Sequence, residues 1–372
     1  MSEWRTIAPD YLNCCTNLSS SLLAYYGATA PQPGLPIVDR LLAGQHFRKV
    51  LLFLFDGLSM DALQRHLPED SLLRSHVIHT LSAVFPATTA AATTSILSAL
   101  NPGQHGWLGW TLYFSQLQAS VDILPNTIQY AREQVADYHV ASRFLPYTII
   151  LDMISDTGMR VHHLSAHALQ PVIGLEKLME QARDVMEAPD PAFAYVYWNE
   201  PDHLMHLKGC DHPDVRQRVL AIEQGIRQLA DSMGQDTLLL ITADHGLIDA
   251  IPDCLDEHPR LNGMLLRPPM VEPRAAALYV KTHERPFFEE AFVEAFGNRY
   301  RLLTAEELLE SGLLGPRSQA YRPGIESFVG DFFAISLAEG ALYPSRDRCR
   351  IIGMHGGMTA QEMQVPLIAL HA

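Results

Sequence analysis

The sequence predicts an α/β fold built around a largely parallel central sheet. Short runs rich in Val, Ile and Leu recur between helical stretches, the pattern left by strands alternating with crossover helices. Several of these runs end on ionisable residues, and the carboxyl ends of buried strands are where open α/β sheets keep their ligands. With 372 residues, 48% hydrophobic and 19% charged, the chain can bury one large core or two ordinary ones and is not wholesale disordered.

The clearest strands are KVLLFLF (49–55), FAYVYW (193–198), TLLLIT (237–242) and the apolar run at 276–280. Helices are expected over about 89–100, 172–188, 213–233 and 285–296. Residues 107–160 and 251–345 fit the alternation less well and read as insertions forming a small cap over the carboxyl edge of the sheet. Residues 1–46 then form an N-terminal extension packed on the core, and 47–372 the main domain.

A net charge of −15 argues against a nucleic-acid binder, which needs a positive surface. No apolar run approaches the ~20 residues of a spanning helix, and MSEWRTIAPDYLNCC is a poor signal peptide. The expectation is a soluble cytoplasmic protein without a membrane partner. The oligomeric state is not legible. Five irregularly spaced cysteines form neither a disulfide framework nor a CxxC zinc motif.

Five motifs carry chemistry. In FLFDGLS, Asp56 ends a buried run, either at a site or as a helix N-cap. In ITADHGLID, Asp244 and His245 follow another strand; in an extended chain they would face opposite ways, and Gly246 permits the bend that brings them together. In YWNEPDHLMHLKG, Asp202 and His206 lie four residues apart, on one face of a helical turn. His203 faces elsewhere. A carboxylate with an imidazole suits zinc or a similar cation, though a surface Asp–His pair would look the same. His355 stands in MHGGM, where Gly356 and Gly357 let the backbone turn and approach closely. Thr88 and Thr89 open an Ala/Leu-rich helix, whose free N–H groups favour a phosphoryl oxygen or an alkoxide. Threonine is also an ordinary N-cap.

Each motif is weak alone, but together they supply six Asp/His ligands and an alcohol. That is the inventory of a two-metal site in which coordination activates a hydroxyl nucleophile. Bound cations would also explain how so acidic a chain receives an anionic substrate.

The ordered set, from about residue 47 to the end, resembles the type I phosphodiesterase/nucleotide pyrophosphatase family of the alkaline phosphatase superfamily. It is most similar to soluble bacterial members with FPxTT at the nucleophile. The resemblance implies an alkaline-phosphatase-like three-layer sandwich, with a mostly parallel central sheet and a small inserted cap. It implies one metal held by Asp202, His206 and His355, and a second held by Asp56, Asp244 and His245 with the Thr89 oxygen. Both are divalent, zinc first and manganese as the alternative. Thr89 rather than Thr88 matches the nucleophile, because it lies thirteen residues before Pro102 of NPGQHG. The implied activity is hydrolysis of phosphodiester or pyrophosphate bonds in a small substrate through a phosphothreonine. The alternatives are a phosphomonoesterase or phosphonate hydrolase on the same core, and a metal-binding pseudoenzyme. The family usually places a phosphoryl-binding asparagine a few residues after its H-G. Here HGWLGW puts Trp110 in that neighbourhood, and an indole cannot replace an amide.

Overall fold

The computed structural model describes residues 4–166 and 174–372. A six-stranded sheet forms the centre: β1 (Lys49–Phe55), β2 (Val77–Ser82), β3 (Arg160–Ala166), β4 (Ala192–Trp198), β5 (Thr237–Thr242) and β6 (Gln364–His371). Their order across the sheet is β2-β6-β5-β1-β4-β3. β1 runs parallel to β4 and β5, β3 parallel to β4, and β6 antiparallel to β5 and β2. β1, β4 and β5 are buried along their whole length, which is why they read as continuous apolar runs rather than alternating ones.

The described helices include two packed groups. Cys15–Tyr25 packs against Pro36–Gly44, Thr89–Ser98 and Ile150–Ser155. Its residues 15–23 are all buried, and the Ser19 hydroxyl donates to the Ile96 carbonyl at 2.7 Å. Pro213–Asp231 packs against Leu175–Glu187, Met60–His66 and Asp202–Lys208.

Expected boundaries shift by a few residues. The helix expected at 89–100 stops at Ser98, because Ala99 turns left-handed with φ 56°. The one expected at 172–188 spans Leu175–Glu187, and residues 172 and 173 lie outside the described residues. The helix at 285–296 has those bounds, and that at 213–233 ends at Asp231.

One expectation needs correcting. The apolar run at 276–280 is not part of the parallel sheet. Its strand, Ala275–Leu278, belongs to a second, wholly antiparallel sheet of seven strands. That sheet draws Thr111–Phe114, Ala119–Asp122 and Thr127–Ile128 from one poorly alternating region. Met270–Glu272, Ala275–Leu278, Tyr300–Thr304 and Phe332–Ser336 come from the other. The two halves meet at Val271 opposite Thr111. Small alanines made this run look like a crossover strand, although it pairs antiparallel with Met270–Glu272 in a hairpin and with the sequence-distant Phe332–Ser336. No helix among the described residues is long and apolar enough to cross a membrane.

Candidate active site

Three neighbouring strands of the central sheet deliver their next residues to one place. Phe55 of β1 stands opposite Trp198 of β4, and Leu54 opposite Thr242 of β5. Asp56 follows β1, Asp244 comes just after β5, and Asp202 opens the Asp202–Lys208 helix after β4. Backbone bonds fix the corner: Asp56 N–H donates to the Trp198 carbonyl and Asp202 N–H to the Asp56 carbonyl, both at 3.0 Å. Gly57 has φ 75° and donates its N–H to Asp244 Oδ1 at 3.1 Å; a side chain would strain that turn.

Asp56 does not cap the next helix. Ser59 does, its Oγ accepting from Ala62 N–H at 3.2 Å, and the Asp56 carboxylate is left to the site. Gly246 also works differently from expectation. A Cβ there would lie 2.0 Å from the Gln361 carbonyl oxygen, so close backbone approach, rather than freedom to bend, demands glycine.

Thr89 is the first residue of its helix. Its Oγ1 lies 3.1 Å from His245 Nε2 and 3.3 and 3.5 Å from the two Asp56 carboxylate oxygens. The Thr88 side chain makes no cap bond and donates instead to Glu272 Oε1 at 2.6 Å. The first-turn N–H groups therefore keep their positive character for another acceptor.

His206 sits one helical turn after Asp202. Its Nδ1 faces the Gly353 carbonyl at 2.6 Å, and its Nε2 lies 3.2 Å from Asp202 Oδ2. A ring that donates through Nδ1 presents the lone pair of Nε2. His355 arrives on the turn after Gly353–Met354. That turn is tied down by Ile352 N–H to the His206 carbonyl at 2.8 Å and by a bridge between Ala87 and Gly356. Ring centroids lie 5.1 Å apart for His206 and His355, and 4.0 Å for His245 and His355.

All the residues singled out from sequence thus converge. Asp202, His206 and His355 form one trio and Asp56, Asp244 and His245 another, with potential ligand atoms within 4.8 Å of one another in each. Both trios are almost wholly buried, and the electrostatics show the strain of that. Burial raises the Asp56 carboxyl well above its usual range, and Asp244 and Asp202 add to the rise. Burial likewise raises Asp244. For Asp202 burial is outweighed by His206, His355 and His245, which hold it below the usual range. Burial disfavours charge on His206, yet Asp202 and the Gly353 carbonyl lift it to about 9. Asp202 Oδ1, Asp244 Oδ2 and His355 Nδ1 are buried without a hydrogen-bond partner. Such orphaned atoms are expensive unless something binds them.

Two residues escaped the sequence reading. Tyr197, buried in β4, donates its hydroxyl to Asp56 Oδ2 at 2.6 Å; within FAYVYW it passed for another core aromatic. Glu272 is buried beside Thr88, accepts the Trp110 N–H at 2.8 Å, and is lifted by burial to about 7. Its setting in RPPMVEP gave no signal. The Trp110 side chain is 45% exposed, so it does not pack away beneath the second sheet.

The sequence model of the type I phosphodiesterase/nucleotide pyrophosphatase family matches residues 50–295. The chain belongs to this family. As a member of the type I phosphodiesterases, in the alkaline phosphatase superfamily, it is a phosphoester hydrolase. Murine ectonucleotide pyrophosphatase/phosphodiesterase 5 has a similar structure, with a TM-score of 0.66 at 17% identity over 87% of this chain and 88% of that one. The human protein gives 0.66 at 18% identity, covering 87% of each chain. Phosphonoacetate hydrolase from Sinorhizobium meliloti 1021, solved with phosphonoformate, gives 0.64 at 17% identity over 86% of this chain and 89% of that one. At these identities the likeness is one of fold. No curated protein matches the chain by sequence.

Proposed function

We propose that this phosphodiesterase-family chain hydrolyses phosphodiester or pyrophosphate bonds, with Thr89 as nucleophile and two divalent metal ions, zinc or manganese, held by the two trios. The observation that carries the reading is the position of Thr89 Oγ1. It lies 3.1 Å from His245 Nε2 and beside Asp56, at an uncapped helix N-terminus.

The donor set suits such ions. Three carboxylates and three imidazoles are the ligands zinc prefers, and the orphaned oxygens and nitrogen of Asp202, Asp244 and His355 are what a cation would satisfy. Bound there, the cations would lower the pKa of the threonine hydroxyl and offset the charge of the phosphoryl group.

The chain's own residues then divide the work. Thr89 Oγ1 gives up its proton to solvent and attacks phosphorus in line. A bond forms from Oγ1 to phosphorus as the bond to the leaving oxygen breaks, which leaves a phosphothreonine. Water attacks phosphorus from the vacated side and loses a proton to solvent as the Oγ1–phosphorus bond breaks, and Oγ1 takes up a proton to restore Thr89. First-turn N–H groups of the Thr89–Ser98 helix face the non-bridging oxygens and stabilise charge that grows in the transition state. Tyr197, bonded to Asp56 Oδ2, keeps that carboxylate oriented. The second sheet is the insertion that shapes the substrate side, in the place of the small cap, and the two helix groups are the outer layers of the sandwich.

A screen of phosphate mono- and diesters, pyrophosphates and phosphonates with added zinc or manganese tests this. We expect metal-dependent turnover of a chromogenic diester with a burst of product. Turnover that survives exhaustive chelation would remove the metals from the reading. A phosphonate as the only substrate would move the chain to the phosphonate-hydrolase alternative, which the same trios can serve.

A further inference from the structure

We propose that Glu272 acts as a charge filter at this site, selecting singly charged phosphodiesters over doubly charged phosphate monoesters. The proposal rests on the reading of the site given above.

Glu272 ends the Met270–Glu272 strand and is 6% exposed. Its Oε1 accepts the Thr88 hydroxyl at 2.6 Å and the Trp110 N–H at 2.8 Å. A Cβ placed on Gly356 would lie 2.9 Å from the Glu272 Cβ. The side chain therefore stands between the turn that presents Thr89 and the turn that presents His355.

A structural tie between Thr88 and Trp110 needs only an acceptor. Glutamine would supply one without burying a charge, which is costly unless a cation pairs with it. Both donors to Oε1 are neutral, and no Lys or Arg among the described residues forms an ion pair with Glu272. The positive group that acts on it is His206 of the first trio, so the field of this carboxylate reaches the site and does not end at the turn.

The backbone points the same way. Val271, next to Glu272, has φ 73°, an outlier for a β-branched residue. It crowds Gly109 so closely that a Cβ there would lie 2.7 Å from a Val271 methyl. Strain of this kind persists where the surroundings enforce it and gathers at functional sites. Here it holds a carboxylate against the Thr88 hydroxyl, one residue from Thr89. A diester brings one negative charge and an ionised monoester brings two, so a fixed carboxylate nearby repels the monoester more, by roughly tenfold at partly screened separations.

The test is the ratio of kcat/KM for p-nitrophenyl phosphate to that for bis(p-nitrophenyl) phosphate. It is measured on zinc-loaded enzyme at about pH 9, well above the carboxyl range. Glu272→Gln keeps the acceptor and loses the charge; we expect the ratio to rise roughly tenfold. Glu272→Ala should raise it too, and either variant suffices if the other does not fold. Glu272→Asp keeps the charge and should leave the ratio within about twofold of wild type. An unchanged ratio in Gln and Ala overturns the filter, as does an equal rise in Asp, which would make shape rather than charge the cause. Wild type that cleaves neither ester overturns the parent reading and the filter together. Wild type that cleaves the diester, with ratios that do not move, overturns the filter alone.

Discussion

Thr88 and Thr89 are neighbours in sequence but sit in different surroundings, and substitution should separate them. Thr89→Ala should lower turnover by a factor on the order of 10³ or more while metal content stays near that of wild type. Thr88→Ala loses one hydrogen bond to Glu272 and should remain substantially active. The reverse pattern would put the nucleophile one residue earlier. Within the trios, His206→Ala or His355→Ala should deplete one metal, and Asp244→Asn or His245→Ala the other, by elemental analysis. Unchanged stoichiometry in all four would defeat the assignment. Trp110, half in solvent, offers a flat apolar face where the family usually has an amide. Wild type should therefore show a higher kcat/KM on aryl diesters than on nucleoside triphosphates, and Trp110→Asn should narrow the gap. A wild-type preference for triphosphates that survives the substitution would rule this out. Asp56, Asp244 and His245 were legible because a polar group ending an apolar run is conspicuous, Asp202 and His206 through their four-residue spacing, and His355 only through the ordered set of motifs. Tyr197 and Glu272 were not, because a tyrosine in a strand resembles core and a glutamate among prolines resembles surface.

Two short elements hold the site's turns, and both should respond to simple perturbations. Arg274 and Glu362 form a fully buried bidentate pair at 2.6 and 2.9 Å. Glu362 also accepts the N–H groups of Gly357 and Thr359, at 2.8 and 3.1 Å, and so braces the turn that carries His355. Arg274→Met leaves that carboxylate buried and unpaired, and should cost about 3–5 kcal/mol in urea denaturation. In the double variant with Glu362→Leu part of this should remain, because the turn's N–H groups lose their acceptor. In the Pro102–His105 turn, His105 is wholly buried and is pushed down to about 3 by burial and by the Arg322 cation. Its Nδ1 accepts Trp107 N–H at 3.0 Å, which leaves Nε2 to donate to the Ser95 hydroxyl at 2.9 Å. Folding thus favours the neutral ring. Its contribution is complete above the unfolded value near 6.5 and fades by roughly 1.4 kcal/mol per pH unit as pH falls from there toward 3. His105→Gln should flatten that acid limb in denaturation series, and an identical slope would assign the limb to other groups. Helix positions were readable from periodicity. Not every helix end was: the Thr89–Ser98 helix stops early because Ala99 adopts a left-handed conformation that alanine seldom signals.

For the molecule as a whole, the three aspartates packed at the strand ends make stability depend on what neutralises them. Chelation should lower the melting temperature, and re-addition of zinc should restore it in a concentration-dependent way, as expected when an ion binds only the folded state. A melting temperature indifferent to both would mean that the trios bind no metal tightly. The parallel centre of the sheet was legible because strands buried on both faces are continuous apolar runs. The antiparallel sheet was not, because its halves are distant in sequence and meet at one residue pair, Val271 with Thr111. Position within the central sheet has one more consequence. β6 lies between β2 and β5, and among the described residues β2 has no other strand neighbour in that sheet, only a single bridge from Ser82 to Cys14. During synthesis β2 emerges early and waits without its strand partner until the residues of β6 clear the ribosome nearly three hundred positions later. Nascent chains stalled before β6 should therefore stay protease-sensitive around 77–82 and engage chaperones, while chains released with β6 should close into resistant molecules.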